Sequence, residues 1–136
     1  MYGKLSVAAA EARKKAYAPY SGFKVGAALL TADGKIYSGC NIENSAFSPT
    51  VCAERVALFK AISEGERAFV AIAVAGGKER IAPTMPCGVC RQALAEFCNG
   101  DLKVISVSDE SGNYTETTLG ALLPNAFSEA DFRGLT

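Results

Sequence analysis

The stretch FVAIAVAGG, residues 69–77, carries no charged or hydrogen-bonding side chain over nine positions. A strand facing water on one side alternates polar with apolar residues, so a strand without a polar face must be covered on both sides. The flanking segments can supply that cover. Alanine-rich residues 5–18, with Leu5, Ala9, Ala12 and Ala16 at helical spacing and Pro19 as the stop, predict a first helix. FKVGAALL and KIYSGCN read as strands around TADGK, whose Asp33-Gly34 is a hairpin signal. NIENSAFSPTV reads as a polar loop. CAERVALFKAISEG predicts a helix stopped by Gly65, and CGVCRQALAEFC a second, with GKERIAPTM as the loop before it. LKVISVS and NYTET bracket the turn DESG, and TLGALL predicts a short helix before Pro124. The order α-β-β-α-β-α-β-β-α implies an α/β fold, a three-layer α/β/α sandwich with a mixed five-stranded sheet. A hairpin start, parallel central strands and helices on both faces are expected, in a single domain spanning residues 1–136.

Composition narrows what such a fold can do. Lys+Arg and Asp+Glu balance at 14 each, and no basic run exceeds Lys14-Lys15, which argues against a polynucleotide partner. FVAIAVAGG is half the length needed to span a bilayer, and MYGKLSVAAAEARKK turns charged too early for a signal peptide. The five cysteines are an odd number, which points to a reducing compartment and to metal or free thiols rather than disulfides. A cytoplasmic protein is expected, with no membrane partner.

The cysteines carry the chemistry. Cys87 and Cys90 form a C-x-x-C pair where a loop enters a helix, and Cys52 opens the other long helix. Helix starts favour thiolate, through free N–H groups and the helix dipole. Zinc–sulfur bonds of ~2.3 Å at tetrahedral angles set two sulfurs roughly 3.8 Å apart, a gap that C-x-x-C spans. Taken alone, the pair also suits a redox dithiol or two buried thiols. Two helices that follow adjacent parallel strands would bring all three sulfurs to one sheet edge, where open α/β sheets bind ligands. Three thiolates leave a tetrahedral ion one ligand short, the pattern of a catalytic rather than a structural zinc, and the chain contains no histidine.

CAE, followed 35 residues after Cys52 by PCGVC, resembles the zinc-dependent cytidine deaminases. The likeness extends through YAPYSGFKVGAALL, GCNIENSAFSPTVCAERVALFKAISEG, PCGVCRQALAEF and LLPNAFS to the small homotetrameric class. That resemblance implies one Zn2+ per chain on Cys52, Cys87 and Cys90, with Glu54 as the proton shuttle. It implies hydrolytic deamination of cytidine and 2′-deoxycytidine by zinc-activated hydroxide, in pyrimidine salvage, with a small nucleoside as substrate. Positions two apart on a helix point to nearly opposite faces, so Glu54 can serve Cys52 only from a first turn. Arg55 lies on the helix face of Cys52 and Gln92 just past Cys90; both resemble donors to the ligand sulfurs that offset their charge.

NIEN alone would be turn residues. The resemblance assigns Asn41 and Glu43 to sugar hydroxyls, Phe23 to the pyrimidine ring, Ala53 to the substrate site and Phe127 to a neighbouring subunit's pocket, in a homotetramer. Phe47 stands where the family usually has tyrosine. Cys98 reads as a small buried apolar residue. Cys40 could be a fourth ligand, which would close the site. Competing readings are a blasticidin-type aminonucleoside deaminase, a C-x-x-C thiol–disulfide oxidoreductase and a zinc-stabilised binding module.

Overall fold

The computed structural model describes residues 1–134; the last two positions of the expected 1–136 domain lie outside the described residues. Ten elements follow one another. They are α1 (Gly3–Arg13), β1 (Lys24–Thr31), β2 (Ile36–Cys40), α2 (Ala53–Ser63), β3 (Phe69–Gly77), α3 (Gly88–Phe97), β4 (Lys103–Val107), β5 (Tyr114–Thr118), α4 (Leu119–Leu122) and α5 (Glu129–Phe132). The strands form one mixed five-stranded sheet in the order β2-β1-β3-β4-β5.

The apolar run of residues 69–77 is β3, at the sheet centre, and residues 71–77 are all buried. Its two faces look into different cores. Ile72, with Ala27, Leu29 and Val104, packs under α2 and α3 through Ala57, Leu58, Ala61 and Leu94. Ala71, Ala73 and Ala75, with Ala28, Ile105 and Val107, pack under α1 through Leu5 and Ala9. This is the expected three-layer arrangement.

Two expectations need correction. The first helix stops at Arg13, not near Ala18. The buried Arg13 guanidinium turns under the sheet and donates to the carbonyls of Gly77 (2.7 Å), Lys78 (3.2 Å) and Lys24 (3.3 Å). The chain then leaves the helix through a turn at Lys14–Lys15, so that Tyr17 can pair with Ile42. The centre of the sheet is also less parallel than expected. β1 is antiparallel to both β2 and β3, and only β3–β4 is parallel, from Ala71↔Lys103 to Val74↔Ser106. The strands that lead into α2 and α3 are therefore not adjacent. β2 and β3 do run the same way, one on each side of β1, and this still delivers both helix starts to one edge of the sheet.

Close backbone approach holds the helices there. A Cβ on Gly26 would lie 2.1 Å from the Ala9 carbonyl oxygen in α1. A Cβ on Gly39 would lie 2.7 Å from the Ala57 nitrogen and 2.9 Å from the Ala53 oxygen in α2. Main chain cannot yield as a flexible side chain can, so Gly39→Ala must push α2 off the sheet. It should cost about 2 kcal/mol, in the range of overpacked cores, read as a lower midpoint in urea unfolding. Gly3→Ala, with nothing within 4 Å of the new methyl, is the control and should leave the midpoint unchanged or slightly raised.

Candidate active site

Cys52 and Cys87 are the residues immediately before α2 and α3, both with extended backbone (φ −76°, ψ 154° and φ −68°, ψ 166°). Neither sulfur caps its own helix. They point at each other instead, with the sulfurs 3.7 Å apart. Cys90, in the first turn of α3, is wholly buried and completes a cluster whose three sulfurs lie within 4.8 Å of one another. The Cys52–Cys87 spacing matches the roughly 3.8 Å edge of a zinc–thiolate tetrahedron.

The electrostatics of the cluster demand a cation. Cys52 is held down to about 5 by the hydrogen bond from the Cys90 thiol, and further by Arg55 and Cys87. Cys90 is pushed up because it donates to Cys52, is buried and lies near the Glu54 carboxyl. Of this hydrogen-bonded pair, Cys52 is thus the sulfur favoured as thiolate and Cys90 the one that keeps its proton. Ionising all three requires positive charge between them, and Arg55 alone provides one unit. Its guanidinium donates to the Cys52 sulfur at 3.5 Å and is held charged by Cys52 and Cys90, while its buried Nε has no partner. The donor set fits a zinc ion.

Glu54 is 4% exposed in the first turn of α2. Because Cys52 precedes the helix in extended conformation, ideal helical spacing does not separate the two, and both line one cavity. Burial raises the Glu54 carboxyl to about 7, with Cys52 adding to the shift and Arg55 opposing it. The cavity encloses about 270 Å³. Phe23, Asn41 and Glu43 line it too, and Ala53 is buried beside it at the start of α2.

The NIEN segment is more ordered than a polar loop. Ile42 exchanges main-chain hydrogen bonds with Val51, and Tyr17 N–H and carbonyl pair with Asn41 and Glu43. Asn41 accepts from Val25 N–H and donates to the Phe23 carbonyl, each at 2.8 Å. Glu43 accepts from the main-chain N–H groups of Tyr20 (2.9 Å) and Ser21 (3.1 Å) and from the Ser21 hydroxyl.

Other expected residues lie apart. Gln92, expected to donate to the sulfurs, donates instead to the Phe127 carbonyl at 2.9 Å. Two residues past Cys90 on α3, it faces nearly the opposite way. Phe127 is 59% exposed and lines a different hollow, with Gln92 and Phe132. Phe47 is 80% exposed, at the rim of a hollow that shares Ser21, Glu43 and Thr50 with the cavity that holds Glu54. Cys40 faces away and donates to the Lys15 carbonyl, so among the described residues the metal cluster has three sulfurs, not four. Cys98 packs against the core, and desolvation pushes its thiol up to about 11.

Sequence reasoning missed Ser21, Thr84 and Met85, which also line the cavity. Ser106 offered a signal, as a polar residue in a buried strand. Its hydroxyl accepts from Thr84 N–H (3.1 Å) and donates to the Thr84 carbonyl (2.9 Å), which fixes the strap before Cys87. Arg91 anchors the other end, donating to the Pro86 carbonyl at 2.7 Å.

Comparison with known proteins agrees with this geometry. A family model described as "Cytidine and deoxycytidylate deaminase zinc-binding region" matches residues 2–107. A protein of Sporosarcina psychrophila named cytidine deaminase is 56% identical over 94% of this chain and 92% of its own. One of the same name from Halalkalibacterium halodurans is 52% identical over 90% and 91%. The crystal structure of cytidine deaminase from Burkholderia pseudomallei superposes with a TM-score of 0.85 at 48% identity, covering 93% of this chain and 99% of that one. With residues 2–107 matched and sulfurs, carboxyl and cavity in one place, the chain belongs to the cytidine and deoxycytidylate deaminase zinc-binding family.

Proposed function

We propose that this protein is a zinc-dependent enzyme that converts cytidine and 2′-deoxycytidine to uridine and 2′-deoxyuridine with release of ammonia, in pyrimidine salvage. The observation that carries this reading is a shared cavity: Cys52 and Cys87, the buried Glu54 carboxyl, and Asn41 with Glu43 all line it. The names of the close relatives support cytidine over a blasticidin-type aminonucleoside. Thiol–disulfide exchange has no use for Cys52 and Glu54. Residues 1–136 act as one domain in this reading.

Cys52, Cys87 and Cys90 hold one zinc ion, which when bound supplies Lewis acidity and lowers the pKa of a water. Glu54 takes a proton from the attacking water and delivers it to ring nitrogen 3 as a C–O bond forms at carbon 4. It then takes the remaining proton from the new hydroxyl at carbon 4 and gives it to the amino group, so that the C–N bond breaks, ammonia leaves and the carbonyl forms. A carboxyl raised to about 7 by burial can both hold and release a proton near neutrality. Arg55 offsets negative charge on the sulfurs through its contact with Cys52. Phe23 packs on the pyrimidine, with Ala53 beside it. Asn41 and Glu43 meet the sugar hydroxyls, the 3′-hydroxyl being the main handle.

Phe23 of the cavity is 38% exposed, and Tyr20 and Phe47 of the adjoining hollow are 57% and 80% exposed. Burying such rings is the main gain from association, and it supports a homotetramer in which Phe127 of a neighbour covers the site; the reading places that assembly in the cytoplasm. No helix among the described residues is long and apolar enough to cross a membrane. The balanced charge supports a free nucleoside rather than nucleic acid as substrate.

The purified protein should contain one zinc per chain by elemental analysis. Cys52→Ala should lose it, whereas Cys40→Ala and Cys98→Ala should keep it; zinc loss from Cys40→Ala would mean a fourth sulfur ligand. Glu54→Gln should retain fold and zinc while turnover of cytidine falls at least 10²-fold, the scale of general acid–base catalysis. A variant retaining a tenth of the wild-type rate would remove Glu54 from the proton path. In competition kinetics, free cytosine and 3′-CMP should both be poor substrates beside cytidine and deoxycytidine. Sedimentation velocity should give a species of four chains, and a fully active monomer would overturn the shared-site reading.

A further inference from the structure

The Glu43 carboxylate is held by three donors from one short stretch, Tyr20–Ser21. The Ser21 hydroxyl has a second task. Its single proton goes to Glu43 Oε2, while its oxygen accepts the Phe23 N–H at 2.9 Å. One side-chain oxygen thus ties the Glu43 carboxylate to the main chain of Phe23, and Ser21, Phe23 and Glu43 all line the cavity. A carboxylate has about four acceptor directions. With three occupied, Glu43 retains room for one more donor, which makes it a reader of a single hydroxyl.

We propose that Ser21 is the positioning residue of the sugar site, aiming Glu43 and Phe23 together and setting the preference for nucleosides that carry a 3′-hydroxyl. The inference rests on the reading above that Glu43 meets the sugar. The same donors keep Glu43 ionised: the Ser21 hydroxyl first, then the Ser21 and Tyr20 N–H groups, hold its carboxyl below the usual range. An acceptor-only carboxylate discriminates sharply for a donor, because a ligand lacking the hydroxyl leaves it unpaired.

The test compares 2′-deoxycytidine with 2′,3′-dideoxycytidine, which differ only in the 3′-hydroxyl, for the wild type, Ser21→Ala, Ser21→Thr and Glu43→Gln. Ser21→Ala should raise KM for 2′-deoxycytidine about tenfold, the scale of a hydrogen bond to a charged group, with kcat within about twofold. KM for the dideoxynucleoside should change little, so the preference falls about tenfold. Ser21→Thr, which keeps the hydroxyl at an exposed position, should restore it. In an NMR titration the Glu43 carboxyl should move up in Ser21→Ala. An equal loss on both substrates would show general damage and overturn the positioning role. An unchanged preference in Ser21→Ala, alongside a preference lost in Glu43→Gln, would overturn the inference alone. An unchanged preference in Glu43→Gln would overturn the sugar-site reading and the inference with it.

Discussion

Three sulfur atoms within 4.8 Å of one another, one of them wholly buried, set the terms for the rest of the molecule. Without compensation, the hydrogen bond between two of them favours thiolate at Cys52 and holds the proton on Cys90. Buried charge of one sign is tolerated only where opposite charge meets it. Zinc meets most of that need, and Arg55 meets part of what remains from one turn along α2. The arginine is therefore part of the electrostatic balance of the cluster.

That balance requires geometric accuracy that the sheet supplies. β2 and β3 run in the same direction with β1 between them, so the residues that open α2 and α3 emerge at one edge. Gly39 lets α2 lie directly on β2, which fixes the height of Cys52 and Glu54 above the sheet. The strap to Cys87 is held at both ends, by Ser106 on Thr84 and by Arg91 on Pro86. Arg13 anchors the start of the same connection at Gly77 and Lys78. Each anchor is a side-chain bond to main chain, the kind that fixes a path without fixing the residues along it.

Much of this was legible in the sequence because the signals are local. The unbroken apolar run of β3, the Asp33-Gly34 turn and the alanine-rich helix faces each act over a few residues. The three sulfurs were legible as well, since residues that open helices share an electrostatic role. What escaped was set by contacts distant in sequence. Arg13 ends α1 by reaching carbonyls 64 and 65 residues away, and nothing in the local alanine-rich pattern marks that stop. The place of β1 between β2 and β3 depends on pairing that no single segment encodes. Gln92 reads as a neighbour of Cys90 in sequence but faces Phe127 on the helix. Ser21 looks like an ordinary turn residue until Glu43, 22 positions on, is brought against it.

Two glutamates in one cavity show how environment divides a single chemistry into two tasks. Glu54 is buried and lies near the Cys52 thiolate, so its charged form is disfavoured and its proton is held up to about 7. Glu43 is half-buried at the other end, where three donors converge on it and favour the charged form. The signs are opposite for a stated reason in each case: desolvation raises the first, hydrogen bonding lowers the second. A proton can therefore come and go at Glu54 while Glu43 stays a fixed acceptor. In the proposed reaction, exchanging the two environments would put a fixed charge against the reacting ring and a movable proton against the sugar. The first would stop proton delivery to the base, and the second would make sugar recognition depend on pH. Separating the two pKa values within one cavity of about 270 Å³ would let the proposed reaction, which needs a mobile proton, coexist with the proposed recognition, which needs a permanent charge.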